Sequence, residues 1–431
     1  MSKLSEHIYP LGRLGDLVRG FRGVTYKPDD LRTIADEHSA VLLRSNNIQE
    51  SYLNFEDIQI VPTSIVSEQQ VLNKGDIAVC MSNGSRQLVG KSGRYDGSYS
   101  NKLTVGAFCS IFRCFCEDDA DYVRYLFQSQ EYQHSIDILL AGSAINNLKN
   151  SDVESILLPI APKENRAKIA EILGDLDRYI QTVVASIDKL NAIKQGMMTD
   201  LFSRGIDPAT GKLRPSVQDA PELYYDTPLG PMPKAWDVVR AFDIAKEIVV
   251  GIVVEPSQYY LSEGVAVFRS ANIQENRINE ENFVFMSEES NQKNRKSMLR
   301  TGDVITVRTG YPGTTCVVPE KYNGANAVDI IITRLKEDVL PHFFSLWVNS
   351  DCGKGQVLSA QGGLAQQHFN VGAMKDLLLP KTSMEEQAAI LEVASSLLQT
   401  ITLESNYLGK LKLQKAGLMR DLLTGKVPVS A

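Results

Sequence analysis

Between Gly84 and Lys102 the chain reads GSRQLVGKSGRYDGSYSNK, setting the bases Arg86, Lys91, Arg94 and Lys102 against the single acid Asp96. Glycine and serine space these cations, and Tyr95 and Tyr99 interleave them. Guanidinium, ammonium and hydroxyl groups on a mobile loop suit phosphate oxygens and groove insertion. A second cationic stretch, Lys293, Arg295, Lys296, Arg300 and Arg308, faces only Asp303. Arg22 and Lys27 extend the candidate set for polyanion contact, as do Arg44 and Arg269, which head a repeated phrase. An ordinary solvated surface with a mobile hairpin would show the same residues. Within the phrase, the asparagines Asn47 and Asn272 read as turn formers. Arg44 and Arg269 fit structure and contact equally well.

Chemistry of the bond-breaking kind finds no residues to carry it. Gly205 to Lys212, GIDPATGK, has five residues between its glycines where a phosphate loop has four, and Leu213 stands where Ser or Thr is needed. There is no amino-methyltransferase signature, no Gly-rich dinucleotide turn, no H-E-x-x-H and no Gly-x-Ser-x-Gly. The five histidines, at 7, 38, 134, 342 and 368, are scattered. Cys109, Cys114 and Cys116 cluster without a C-x-x-C pair or a nearby His, and read as plain buried thiols, not a metal site. The chain is expected to bind and not to catalyse, and to hold no cofactor or metal.

Composition bounds what is bound. A net charge of −7 excludes a uniformly basic coat for nucleic acid but leaves room for local basic surfaces. With 43% apolar and 23% charged residues the chain is globular, and 431 residues are too many for one core. No apolar run reaches the roughly 18–20 residues of a membrane span, and the N-terminal stretch MSKLSEHIYPLGRLGDLV lacks the pattern of a signal peptide. A cytoplasmic location without membrane contact is expected.

The elements that must position these residues come twice. Arg44-Ser-Asn-Asn-Ile-Gln-Glu50 recurs as Arg269-Ser-Ala-Asn-Ile-Gln-Glu275, and LNKGDIAV with Gly75 and Asp76 recurs as LRTGDVIT with Gly302 and Asp303. Arg13 and Asp16 answer Arg240 and Asp243, Pro159 answers Pro380, and Gly196 with Asp200 answers Gly417 with Asp421. A constant order with small indels means a duplicated half of about 200 residues. Each half opens with β-rich runs bounded by turn residues, such as AVLLRS and GDVITVRTG, followed by a helical segment, so a mixed α/β globule is expected.

A long helix closes each half. Ile169, Leu173, Leu176, Ile180, Val183, Ile187, Leu190, Met197 and Leu201 alternate by four and three, broken at Lys194. Ile390, Ala394, Leu397, Ile401, Leu408, Leu411, Leu418 and Leu422 do the same, broken at Glu404 and Lys415. Lys194 and Lys415 hold the same repeat position. Pro162 with Glu164 starts one helix, and a capping box, Ser383 to Glu386, starts the other. About 60 Å of helix with one apolar stripe is unstable alone, so the two helices should pair within the chain, antiparallel, about a pseudo-twofold axis. Such a pair would hold the globules at opposite ends of a rod. Gly196 and Gly417 point to close helix approach or a kink. Between the halves, residues 205–236 carry six prolines and read as an extended linker. The domains are thus 1–160, the helix 161–204, the linker 205–236, 237–381, and the helix 382–425.

Taken in order, these features resemble the specificity subunit of type I restriction–modification enzymes, over essentially the whole chain. The phrase LLPKTSMEEQAAI at 378–390 matches the family's L-P-x-x-x-x-E-Q-x-x-I at Glu386, Gln387 and Ile390, whereas LLPIAPKENRAKI departs with Asn165-Arg166. The resemblance implies two target-recognition domains, each reading half of a split, asymmetric site in double-stranded DNA. It implies that the helices fix the unread spacer and dock two modification subunits, and through them restriction subunits. Partner docking and helix pairing would then use Leu173, Leu176, Ile180, Ile187, Leu190, Lys194, Glu386, Gln387, Leu397, Ile401, Leu408, Leu411 and Lys415. S-adenosylmethionine, ATP and Mg would belong to the partners. A coiled-coil scaffold without DNA reading, or the recognition part of a single-chain restriction–methylation enzyme, would share much of the pattern.

Overall fold

The computed structural model describes residues 8–142, 146–360 and 368–429, so the first seven residues, His7 and the start of the stretch expected to hold no signal peptide among them, lie outside the described residues, as do the last two positions. The chain forms two compact units, residues 1–184 with 406–431 and residues 185–405.

In the first unit an antiparallel four-stranded sheet runs in the order Val18–Arg22, Cys109–Cys114, Ile77–Cys80, Ser92–Arg94. A three-stranded sheet, Gln59–Pro62, Ser39–Leu43, Leu103–Val105, has its last pair parallel. Side chains alternate across a strand, so Ile77 and Val79 face one way and Ala78 and Cys80 the other. Ala78 and Cys80 join Val41, Leu43 and Leu103 in a core between the sheets. Ile77 and Val79 pack with Tyr122, Tyr125 and Tyr132, on the helices Ala120–Leu126 and Gln130–Ala141, and with Ile169 and Leu173 of a long helix.

The second unit repeats this plan. Its four-stranded sheet runs Ala245–Val250, Ile330–Leu335, Val304–Val307, Thr315–Val317, and its three-stranded sheet Val284–Met286, Val265–Phe268, Asn326–Ala327. The parallel pair recurs at the matching place. Ile305 and Val307 face Phe268 and Ile273, while Val304 faces Phe343, Phe344 and Trp347 on the helical side. The repeat read from the sequence is therefore a repeat of strand order and of core faces.

The first long helix spans Lys163–Ser203, 41 residues, and the second Met384–Leu423, 40 residues. They pack together antiparallel within each unit. In the first unit Ile169 and Leu173 share a core with Met419 and Leu422, and further along Tyr179 and Tyr407 meet at 3.0 Å through their hydroxyls. In the second unit Met198 and Phe202 share a core with Ile390 and Ala394. Where a globule covers the seam it is buried. Between those stretches Leu176, Ile187, Leu190, Leu397, Ile401 and Leu408 are only half-buried, because two helices cover one side of each other. Ile180, Val183 and Leu411 remain buried.

Three expectations need correction. A Cβ added at Gly196 or Gly417 would meet nothing within 4 Å, so these glycines do not mark close helix approach. Residues 205–236 are folded, not an extended linker. They form the hairpins Ile206–Asp207/Lys212–Leu213 and Tyr224–Thr227/Gly230–Pro233, and bury Ile206, Met232 and Trp236 in the second unit's core. Gly205 takes φ +67° where a Cβ would collide with Trp236. Ser383 does cap the second helix, accepting from the Glu386 amide at 3.2 Å, but the Glu386 side chain turns inward instead of closing a capping box. Its carboxylate, 2% exposed, takes both arms of Arg214, the indole N–H of Trp236 at 2.9 Å and the Thr382 hydroxyl at 2.6 Å.

Removing one partner of a buried ion pair leaves the other charge uncompensated, at a cost of about 3–5 kcal/mol. Glu386→Ala is expected to destabilise the second unit by that amount. Both tryptophans, Trp236 and Trp347, lie in that unit, so urea unfolding followed by tryptophan fluorescence reads it directly. An unchanged midpoint would show that the inward carboxylate holds nothing.

Candidate nucleic-acid interface

The repeated Arg-Ser-x-Asn phrase builds the same pin in both units. Asn47 Oδ1 accepts from the Arg44 amide at 2.9 Å, and its Nδ2 donates to the Glu56 carbonyl at 2.6 Å. Asn272 Oδ1 accepts from the Arg269 amide at 3.1 Å, and its Nδ2 donates to the carbonyls of Asn279 and Glu281. Both asparagines are buried, as are Ile48 and Ile273. The arginines close the pin. Arg44 Nη2 donates to the carbonyl of Asp57, and Arg269 Nη2 to the carbonyl of Asn282, each acceptor in the left-handed region at φ +49° and +55°. Arg44 also pairs with the Asp57 carboxylate at 2.7 Å, and Arg269 lies over the Tyr260 ring.

A second repeated device was not anticipated. Asp76 accepts from the Asn73 amide and takes Arg113 at 2.7 Å, while Arg113 also donates to the Val71 carbonyl. In the second unit Asp303 accepts from the Arg300 amide and takes Arg334 at 3.3 Å, while Arg334 donates to the Met298 carbonyl. Burial pushes the Asp303 carboxyl up from its usual range against the pull of its hydrogen bonds, and the hydrogen bond to Asp76 raises the Arg113 guanidinium. Sequence held a signal for this: both arginines follow the repeated GD phrase at the same repeat position, in the strand that pairs with it.

The candidate contact residues separate into three kinds. Tyr95 is a correction. It is 6% exposed, sits in the core between the sheets and bonds the Tyr99 carbonyl, so its ring is not offered to a ligand. The stretch 84–102 is not one mobile loop, because Ser92–Arg94 is a sheet strand. Arg94 pairs with Asp121 at 3.1 Å and Arg308 with Asp329 at 2.6 Å, which engages both guanidiniums within their units. Lys91 donates to Gln49, and Arg86, although exposed, to the Asp137 carbonyl. Arg22, Lys27, Lys102, Lys293, Arg295 and Lys296 are exposed, and of these Lys293 pairs with Glu289 at 2.7 Å. Tyr311 was missed. It is 85% exposed in a hairpin between Gly310 and Gly313, both at positive φ, and the turn phrase RTGYPG could have flagged it.

On the helices, Glu386 and Gln387 face inward. Gln387 is fully buried, accepting from the Leu340 amide and donating to the carbonyls of Asp338 and Thr382. Neither side chain is left for a partner. Arg166, at the first helix's matching position, donates to the Ala161 carbonyl and pairs with Asp119 at 2.6 Å. The departure Asn165-Arg166 thus reaches corresponding anchor points with different chemistry. Lys415 binds Asp177 at 2.6 Å beside the Tyr125 ring, whereas Lys194 reaches Glu275 at 3.6 Å.

Among the described residues no group of three or more His, Cys, Asp or Glu could hold a metal, and no helix is long and apolar enough to cross a membrane. All six cysteines are free; Cys109 is buried, and burial pushes the Cys114 thiol up to about 12.

Two copies of one mixed globule, each backed by a share of one helix pair, define a duplicated scaffold. No family model matches the chain. It is 24% identical over 397 residues, 89% of its own length and 80% of the relative's, to the Type I restriction enzyme EcoKI specificity subunit of Escherichia coli strain K12. Its fold matches the crystal structure of the type I restriction–modification S subunit from M. genitalium, with TM-score 0.55, 12% identity and coverage of 100% and 99% of the two chains. It also matches a chain from a structural study of complex assembly and conformational transition in the type I system, with TM-score 0.56, 13% identity and coverage of 99% and 100%. The chain is a relative of the type I specificity subunits and shares their fold.

The paired pins give a check on their role. Asn272→Ala strands the Arg269 amide and two carbonyls, each worth about 1–3 kcal/mol when buried and unmet. We expect a loss of about 2–4 kcal/mol in the second unit, read by the same tryptophan fluorescence, and little change for Ser270→Ala. Equal effects of the two would refute the pin.

Proposed function

We propose that this chain is the non-catalytic specificity subunit of a type I restriction–modification complex acting in the cytoplasm. Each globule reads one half of a bipartite asymmetric site in double-stranded DNA. The helix pair sets the unread spacer and docks two modification subunits, which bring S-adenosylmethionine, and through them the restriction subunits, which use ATP and Mg.

One observation supports this reading above the others. The repeat is kept where it builds the globule and abandoned where a ligand would be met. The Asn pins, the Asp–Arg pairs and the strand order recur, but the exposed Lys293, Arg295 and Lys296 do not, since the corresponding stretch Pro62–Leu72 carries no basic residue. The hairpin bearing Tyr311 likewise answers a longer segment, Met81–Lys91, of unrelated sequence. Two shared scaffolds with unlike surfaces suit two unlike half-sites. Exposed cations on an acidic chain suit local phosphate contact, with the bases read at groove edges by hydrogen bonds of about 1–3 kcal/mol per good pair.

The deciding experiment expresses the chain with its modification subunit in a methylation-free host and maps methyladenine by long-read sequencing. A split motif with two unlike halves around a fixed gap is expected, and exchanging residues 237–379 should change one half only. A palindromic motif, or none despite a stable complex, would overturn the reading. With the target known, the Lys293→Ala, Arg295→Ala, Lys296→Ala triple variant should lower the slope of log affinity against log salt by about 2–3, near 0.9 per lost phosphate contact. An unaltered slope would remove these three from the DNA surface.

A further inference from the structure

Beside the first helix that follows each four-stranded sheet, the two units fill their interiors differently. In the first unit, the angle between the Ala120–Leu126 helix and the long helices is filled by Tyr125 and Arg124. The guanidinium stacks on the phenol ring, its carbon 4.4 Å from the ring centroid. The phenol donates to Asp177 at 2.8 Å, and Lys415 meets the same carboxylate at 2.6 Å. In the second unit the matching positions are Ser345, Leu346, Leu398 and Lys194. Leu346, Leu398 and Lys194 line a cavity of about 450 Å³, and Lys194, without an aspartate opposite, turns to Glu275.

The cavity has an apolar floor and a divided rim. Met198, Phe202, Leu346 and Leu398 line the floor, all within the second unit. On the rim Lys194 and Lys354 both pair with Glu275. Asp351, also on the rim, accepts a hydrogen bond from Gln195 at 3.1 Å and is paired with no cation among the described residues. The volume lies within the range of small-molecule sites, which combine apolar walls with a few polar groups.

We propose that this cavity binds a small aromatic cation, its ring on the Met198, Leu346 and Leu398 floor and its cationic group on Asp351. The first unit supplies the template, since it fills the equivalent space with a ring and a planar cation. An arylamidine suits it best: its delocalised charge is weakly hydrated and its paired N–H groups match a carboxylate. The proposal does not depend on DNA reading.

The test titrates p-aminobenzamidine into the purified full-length chain and follows the probe's own fluorescence. Saturable binding at one site is expected, with a Kd on the order of 0.1–1 mM for a ligand of this size. Asp351→Asn should weaken it about tenfold, the loss of one charge-assisted contact. The double variant Leu346→Tyr with Leu398→Asp restores the tyrosine and the carboxylate of the first unit, with Lys194 placed as Lys415 is, and should abolish binding, while its tryptophan fluorescence reports that the unit remains folded. No saturable signal with the wild-type chain overturns the proposal, as does binding that both variants leave unchanged.

Discussion

Each long helix carries an apolar stripe that nothing in its own half can fully cover, and the structure follows from that constraint. A lone amphipathic helix of 40 residues gains too little from its own hydrogen bonds to offset an exposed stripe, so it must find another. The nearest stripe of the same period is the second copy in the same chain. Antiparallel pairing brings the start of one helix to the end of the other, so each unit takes a share of both. The first unit's core draws Ile169 and Leu173 from one helix and Met419 and Leu422 from the other. The second draws Met198 and Phe202, then Ile390 and Ala394. Burying one such side chain is worth about 1.5–3 kcal/mol, so neither globule's core is complete without both helices.

This dependence explains why the polar positions of the seam lie where they do. Lys194 and Lys415 hold one repeat position, yet each meets a carboxylate of the half to which its helix does not belong. Lys415, from the second half, meets Asp177 and Tyr125 of the first. Lys194, from the first half, meets Glu275 of the second. A lysine in an apolar seam weakens it, but a lysine that finds a carboxylate only in the correct register selects that register. Glu386 acts similarly at the start of the second helix, where a mispaired helix would leave its carboxylate buried without Arg214.

Much of the fold was legible because its signals were periodic or repeated. The heptad steps from Ile169 to Leu201 and from Ile390 to Leu422 fall inside the two long helices, and the repeated GD phrase leads into matching strands. The segment 205–236 was misread because its six prolines are compatible with hairpin edges as well as with extended chain; only tertiary contacts with Trp236 and Met232 distinguish the two. The site was less legible. A count of charges between Gly84 and Lys102 says nothing of direction, and the structure turns Tyr95 into the core and Arg94 onto Asp121. Pairing across a fold is set by residues distant in sequence, as Arg113 with Asp76 and Arg308 with Asp329 show.

Duplication also sets what can diverge. A residue that belongs to the pin or to the Asp–Arg pair touches several backbone groups at once, so changing it strands buried donors and acceptors. A residue on an exposed hairpin between glycines, such as Tyr311, strands nothing. The same logic holds inside: Tyr125 and Leu346 share a repeat position, but the first is tied to Asp177 by a hydrogen bond whereas the second lines open space. A duplicated chain therefore keeps its Asn pins and Asp–Arg pairs in step and departs from symmetry at the helix starts, at surfaces and at cavities, the last two being places where two units can acquire different ligands.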